Sequence, residues 1–288
     1  MIDFTHFAIP AFILLMVLEA VAGAMMGRRA VHEDLRDTAA SLAMGVGSVL
    51  INLGWKMVLF AYFTALSRFA AFDLGFGPLV WAGAILADDF CYYWFHRMSH
   101  EVRFLWAAHV NHHSSERYNL STALRQSWTT PFTGFVFWTP MALIGFDPMM
   151  ILSVQAISLL YQFWIHTELI GNMGPFERIF NTPSHHRVHH GTNVRYLDRN
   201  HAGILILWDK WFGTFAEERE DVVYGLTKNI HSYNPIEIAI HEWRALIADM
   251  KNATGWREKM AYALKPPGWS PDGSTLTADQ MRTMLGAK

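Results

Sequence analysis

The chain has 288 residues, of which 52% are hydrophobic and 17% charged, with a formal net charge of -2. So few charges, against about 25% in a usual soluble domain, exclude an ordinary water-soluble enzyme, and the near-neutral balance excludes a nucleic-acid partner. The one cysteine, Cys91, excludes disulfides and a Cys-ligated iron–sulfur cluster within one chain.

The first apolar run, Phe7 to Met26, is broken only by Glu19 and is long enough for the roughly 20 residues that cross a bilayer core. It follows neither a basic segment nor an early cleavage site, so it is expected to stay as an anchor. Arg28, Arg29 and Arg36 come next. Thr38 to Leu66 is a second run, interrupted by Asn52 and Lys56, whose Gly45, Gly47 and Gly54 suit close helix packing in lipid. Leu79 to Phe95 is a third, with Asp88 and Asp89 near its end. Pro131 to Gly145 and Met149 to Ile165 are a fourth and fifth, joined by a tight turn at Phe146-Asp147-Pro148. Each of these two is short for a span, so they read as two spans or as one hairpin within a leaflet. Ala202 to Phe215 is an interfacial or core segment, Ile236 to Met250 an amphipathic helix, and Thr277 opens a short terminal helix.

Basic residues in short loops set the orientation. Three arginines follow the first run, one follows the second and none lies in the Asp147 turn. The arginine loop is therefore expected inside, and every histidine cluster falls on that side. The expected fold is all-α: an integral-membrane bundle of about four to five segments capped by a cytoplasmic histidine-rich helical domain. Its parts are 1–95 (three spans), 96–130 (a cytoplasmic histidine segment), 131–165 (a hairpin) and 166–288 (cap and C-terminal helices).

Ten of the fifteen histidines lie between 96 and 190. His96 and His100 are four apart. His109, His112 and His113 are spaced i, i+3, i+4, and His186, His189 and His190 repeat that spacing beside His185. On a helix each set reads as one face. With His166 this makes eight or nine rings, and a tetrahedral ion uses about four, so the count argues for two metals. Imidazole alone does not choose among zinc, copper, iron and nickel. Asp89, seven residues before His96, is expected to orient a ligand ring from outside. His6, His32, His231 and His241 are expected in ordinary surface or interface roles.

These boxes resemble the fatty acid hydroxylase superfamily, which includes sterol desaturases. The similarity is carried by Asn181-Thr182-Pro183-Ser184-His185-His186-Arg187-Val188-His189-His190-Gly191, by Tyr196-Leu197-Asp198-Arg199-Asn200, and by Leu207-Trp208-Asp209 with Phe212-Gly213-Thr214-Phe215. It runs from about Leu79 to Phe215, which is expected to form one catalytic domain. The resemblance implies His96, His100, His109, His112, His113, His166, His186, His189 and His190 as ligands of two irons. His185, Asp89, Asp198, Asn200, His201 and Asp209 would be extra ligands or their outer partners. His201-Ala202 departs from the aromatic-glycine pair common in the family at this place.

The implied reaction is oxygen-dependent oxidation of an unactivated C–H bond in a membrane lipid such as a sterol, ether lipid or fatty acyl chain. Hydroxylation is expected ahead of desaturation. The chain carries no ferredoxin-like cysteines, no haem segment and no Gly-x-Gly-x-x-Gly, so electrons must come from an external donor, a redox protein or, as the resemblance implies, a reduced pterin. Arg97, Arg103, Arg117 and Arg125 are candidates to receive an acidic donor or lipid phosphates, and Trp128, Trp138, Phe163 and Trp164 to line a lipid path. The rival readings are a zinc-dependent membrane lipid hydrolase and a non-enzymatic metal carrier.

Overall fold

A computed structural model describes residues 4–27 and 34–286, residues 4–7 by backbone alone. Arg28, Arg29 and His32 lie outside the described residues, as does the side chain of His6. Helices account for the regular structure. Among the described residues there is no strand, only an isolated bridge between Phe180 and Leu205.

Two helices are long and apolar enough to cross a membrane: α1 (Phe4–Met25) and α2 (Leu35–Ser67), each only 11% buried over its apolar window. Asp34 caps α2 by accepting from the Arg36 and Asp37 amides. α3 (Pro78–Glu101) starts on a proline, whose missing N–H costs nothing at that position, and runs on past the apolar stretch to carry His96 and His100. One extended residue, Val102, breaks the chain into α4 (Arg103–His113).

The fourth apolar run is not one helix. It splits into α5 (Thr130–Gly134), a 3-10 turn over Phe135–Trp138 and α6 (Thr139–Ile144). Pro140 has no amide hydrogen to give the preceding turn and sits in the first turn of α6, where none is needed, so a new helix starts there. Gly145 (φ 125°) then turns the chain against the Phe72 carbonyl, where a side chain would collide. Asp147 caps α7 (Pro148–Trp164), as the expected tight turn requires.

The main apolar core lies between α2, α3, α6 and α7, around Phe63, Ala84, Met141, Met150 and Ile151. Beyond it come α8 (Pro183–His190), α9 (Leu207–Phe212), the amphipathic α10 (Pro235–Asn252), α11 (Trp256–Leu264) and α12 (Ala278–Met284). α10 packs Ile238 and Ala239 against Ala40 and Met44 of α2, and Leu246 against Ala107 of α4. It thereby fixes α4, with three of the histidines, to the start of α2.

Candidate metal centre

Four pieces of chain bring nine histidines together: the end of α3, the end of α4, the residue two past α7, and all of α8. α8 is short because Pro183 starts it and the chain leaves it at Gly191 in an extended conformation. All eight of its residues are buried. Arg187, in the middle of the box, grips Glu218 with two 2.6 Å hydrogen bonds and donates to the Thr167 and Ile170 carbonyls. That clamp sets α8 against the segment carrying His166.

The rings sort into two groups, and within each group the ligand nitrogens all lie within 4.8 Å of one another. The first holds His96, His100, His109, His113 and His189; the second holds His112, His166, His186 and His190. The boxes in sequence are therefore not the groups in space. At about 100° per residue, positions i and i+4 of a helix lie about 40° apart, while i+3 lies about 100° from i+4. So His109 and His113 of α4 serve the first group and His112 turns to the second. In α8 the split mirrors this, with His186 and His190 in the second group and His189 in the first. The i, i+3, i+4 spacing is two faces rather than the single face expected.

The ring nitrogens are prepared for a cation. His96 Nδ1 donates to the His201 carbonyl (2.8 Å), His166 Nδ1 to Gln162 (2.7 Å) and His189 Nδ1 to Arg199 (2.9 Å). A carbonyl can only accept, so each Nδ1 keeps the proton and each Nε2 is left bare. His96 Nε2 lies 3.0 Å from His109 Nε2, which is 3.2 Å from His113 Nε2. In the second group His166 Nε2 lies 3.0 Å from His186 Nε2 and 3.2 Å from His112 Nε2. Two nitrogens about 2.1 Å from one ion and about 90–100° apart are about 3.0–3.2 Å from each other. The Nε2 atoms of His100, His189 and His190 are buried with no hydrogen-bond partner among the described residues. The set thus fits two bound ions, and the groups abut where His113 and His190 stack at 4.4 Å.

Burial keeps eight of these rings neutral, the form that binds metal. It pushes His96 down to about 3 and His166 to about 4. His109, His112, His113, His186, His189 and His190 are held well below their ordinary value by burial and by the neighbouring rings.

The other candidates surround these groups in roles of their own. Asp198 Oδ1 lies 3.4 Å from His100 Nδ1. Among the described residues Asp89 hydrogen-bonds to no histidine ring, contrary to expectation. Its carboxylate accepts from the Ile204 and Leu205 amides and the Trp208 indole, pinning the 204–208 strip to α3. Asp209 accepts from the His201 and Ala202 amides and the Thr214 hydroxyl, and burial raises it to about 6. Asn200 donates to the His185 and Ala216 carbonyls. His185 stands outside both groups, 3.8 Å from Glu177 and packed on Phe215. His201 lies against the first group without belonging to it. His231 is exposed near Glu116, and His241 is tied to the Ile238 carbonyl.

Three of the four arginines expected to form a basic receiving surface are paired within the chain: Arg97 with Glu101, Arg103 with Glu242 and Asp249, Arg125 with Asp37. Arg117 alone of the four is exposed. The expected lipid-path aromatics pack internally. Trp138 donates to Asp88, Trp128 to the Met44 carbonyl, Phe163 stacks on Phe12, and Trp164 abuts Tyr161. Sequence reasoning passed over Tyr118, which stacks on His166 and spends its hydroxyl on the Ile165 carbonyl. It noted Glu19 only as an interruption. Glu19 takes the Leu120 amide and the Thr167 hydroxyl, and a lone acid in an apolar run was the signal for that.

Residues 81–214 match the fatty acid hydroxylase family. The chain is 46% identical over 272 residues to the alkylglycerol monooxygenase of Homo sapiens, covering 93% of this chain and 60% of that protein. The alkylglycerol monooxygenase of Danio rerio is 44% identical, covering 92% and 59%. The ornithine lipid hydroxylase of Rhizobium tropici is 31% identical over 134 residues, covering 46% and 40%. The chain thus spans about 60% of the length of the two alkylglycerol monooxygenases. No solved structure matches it.

Proposed function

The chain belongs to the fatty acid hydroxylase superfamily, and from that premise we propose that it is a membrane-bound, oxygen-dependent lipid monooxygenase with two irons. The observation that carries this is the convergence of nine buried histidines into two groups with their bare nitrogens turned inward. The first ion would be held by His96, His100, His109, His113 and His189, the second by His112, His166, His186 and His190. Iron bound there supplies the dioxygen chemistry that side chains lack.

The protein's own part is placement and exclusion. Carbonyl contacts on Nδ1 hold the rings of His96, His166 and His189 in one tautomer and orientation. Burial of every ligand ring keeps bulk water from the centre. An apolar groove of about 500 Å³ between α3 and the α5–α6 segment, lined by Phe90, Trp94, Phe137 and Met141, suits the alkyl chain of the substrate. An ether lipid of the alkylglycerol type is the first substrate to test, since the alkylglycerol monooxygenases share 38–46% identity with this chain. Hydroxylation is placed ahead of desaturation. The reductant is external, a redox protein or a reduced pterin.

In the membrane, α1, α2 and the first part of α3 are spans. At 1.5 Å per residue the 15 residues of Thr130–Ile144 and the 17 of α7 reach about 23 and 26 Å, short of the roughly 30 Å core. We assign them to a re-entrant hairpin. Two crossings or none leave the parity unchanged, so the histidines stay on the side of the arginine loop, the cytoplasm.

The test is elemental analysis of protein purified in mild detergent, followed by oxygen-dependent turnover of an alkylglycerol with added reductant. About two irons per chain and turnover that needs both oxygen and reductant are expected. Folded protein without metal, or turnover with bound zinc and no oxygen, would replace this reading with another.

A further inference from the structure

The five-histidine group has an imidazole from outside both groups against it. His201 has no exposed surface, and apart from an approach to the Asp198 main chain neither of its ring nitrogens makes a well-formed hydrogen bond among the described residues. Its centroid lies 5.1 Å from that of His100, 5.7 Å from His189 and 5.8 Å from His96. Rings within the two groups stand as close as 4.3 Å (His96–His189) and as far as 6.5 Å (His112–His186), so His201 lies at a comparable ring-to-ring distance from three members of the first group, with its nitrogens outside that group's 4.8 Å set.

Its main chain is fixed on both sides. The amide donates to Asp209 and the carbonyl accepts from His96. The turn that delivers it is strained: Asp198 and Asn200 both adopt left-handed conformations, with φ of 53° and 55°. A strained turn, a clamped backbone and a buried imidazole without a well-formed hydrogen bond make a costly way to fill space. A phenylalanine would pack without desolvating either nitrogen. Among the described residues no imidazole from outside the two groups stacks on the second group. The polar aromatic stacked on it, Tyr118, has its hydroxyl committed to Ile165.

We propose that His201 is a further nitrogen donor to the ion of the first group. That gives the first position six imidazoles and leaves the second with four. A metal position closed by protein ligands is structural or tuning, and one with an open place takes an outside ligand. The position formed by His112, His166, His186 and His190 is therefore the one that binds small exogenous ligands. This rests on the reading that the nine histidines hold two irons.

The experiment is anaerobic titration of the reduced, iron-loaded full chain with nitric oxide, read as nitric oxide bound per chain. One per chain is expected in the unaltered protein and two in His201→Phe. Release of one of the two irons to a chelator should also quicken in His201→Phe, by at least the roughly 10–100-fold that loss of an outer partner costs. Two nitric oxides in the unaltered protein overturn the proposal without recourse to the variant. So does a His201→Phe protein that binds one and releases both irons at the original rates. Failure of the unaltered protein to hold two irons would instead remove the reading beneath it.

Discussion

The first two helices and the histidine-bearing half of the molecule invert one another. α1 and α2 turn apolar side chains outward: Leu14 is 58% exposed, Leu50 66% and Met57 68%. From His96 to Asp209 the chain turns polar groups inward, burying all eleven histidines of that stretch with Asn111, Asn181, Asn200 and Arg125. Neither arrangement is stable in water alone. An apolar exterior needs an apolar solvent, and a polar interior needs partners for every donor and acceptor. Glu19 sits where the two meet. Its oxygens, 2.9 Å from the Leu120 amide and 2.5 Å from the Thr167 hydroxyl, join the outward-facing helix to the residue beside His166. The difference teaches that one region is shaped by what surrounds it and the other by what it holds.

Removing a ring should break the polar half most completely. His112→Ala and His189→Ala take one member from each group, and each should lower turnover by at least about 100-fold together with bound iron. Metal analysis and turnover on the same preparation check this. Full activity in metal-depleted protein would break the comparison, since the histidines would then be holding nothing.

Acid comes next. A ring kept neutral when folded and protonated when unfolded contributes stability that is whole above its unfolded value of 6.5. That contribution is lost as pH falls from 6.5 toward the folded values, about 3 for His96 and about 4 for His166. The metal-stripped protein should therefore lose at least about 10 °C of melting temperature between pH 7 and 5. The iron-loaded protein should lose less, because the ions compete with protons for the same nitrogens. Equal pH profiles with and without metal would sink the claim.

Asp89→Ala strands three donors, the buried Trp208 indole and the half-buried Ile204 and Leu205 amides, and should cost about 3 kcal/mol. Thermal unfolding in detergent measures it. The smallest effect belongs to the outward face, where Leu50→Ala should change stability by no more than about 0.5 kcal/mol. A loss as large as that of Asp89→Ala would mean that the outer face of α2 packs against protein rather than lipid.

Much of this was legible in the chain as written. Long apolar runs announced α1 and α2, because crossing a bilayer sets a minimum length that composition reveals. The resemblance from about Leu79 to Phe215 coincides with the family match over 81–214. Helical spacing announced α10, the Phe146-Asp147-Pro148 turn announced the start of α7, and Thr277 the start of the last helix; that Asp147 and Thr277 cap those helices came from the structure. Other features were not legible. Pro131 and Pro140 stood in plain view, but whether a proline starts a helix or breaks one depends on the neighbours that accept its loose ends. Arg103 and Arg125 read as free charge because their partners, Glu242 and Asp37, are 139 and 88 residues away.

The sequence by itself determined the kind of donor and its local spacing: imidazoles repeated at i, i+3, i+4, an acid in an apolar run, arginines after a span. These are short-range properties, set by composition and by the turn of one helix. Tertiary structure decided which ring serves which group, because the second face of each box acquires meaning only when another helix lies across it. It also decided that Asp89 holds backbone rather than a ligand, and that His201 is delivered to the edge of the first group. Those outcomes depend on contacts between residues about a hundred positions apart, and no local periodicity encodes them.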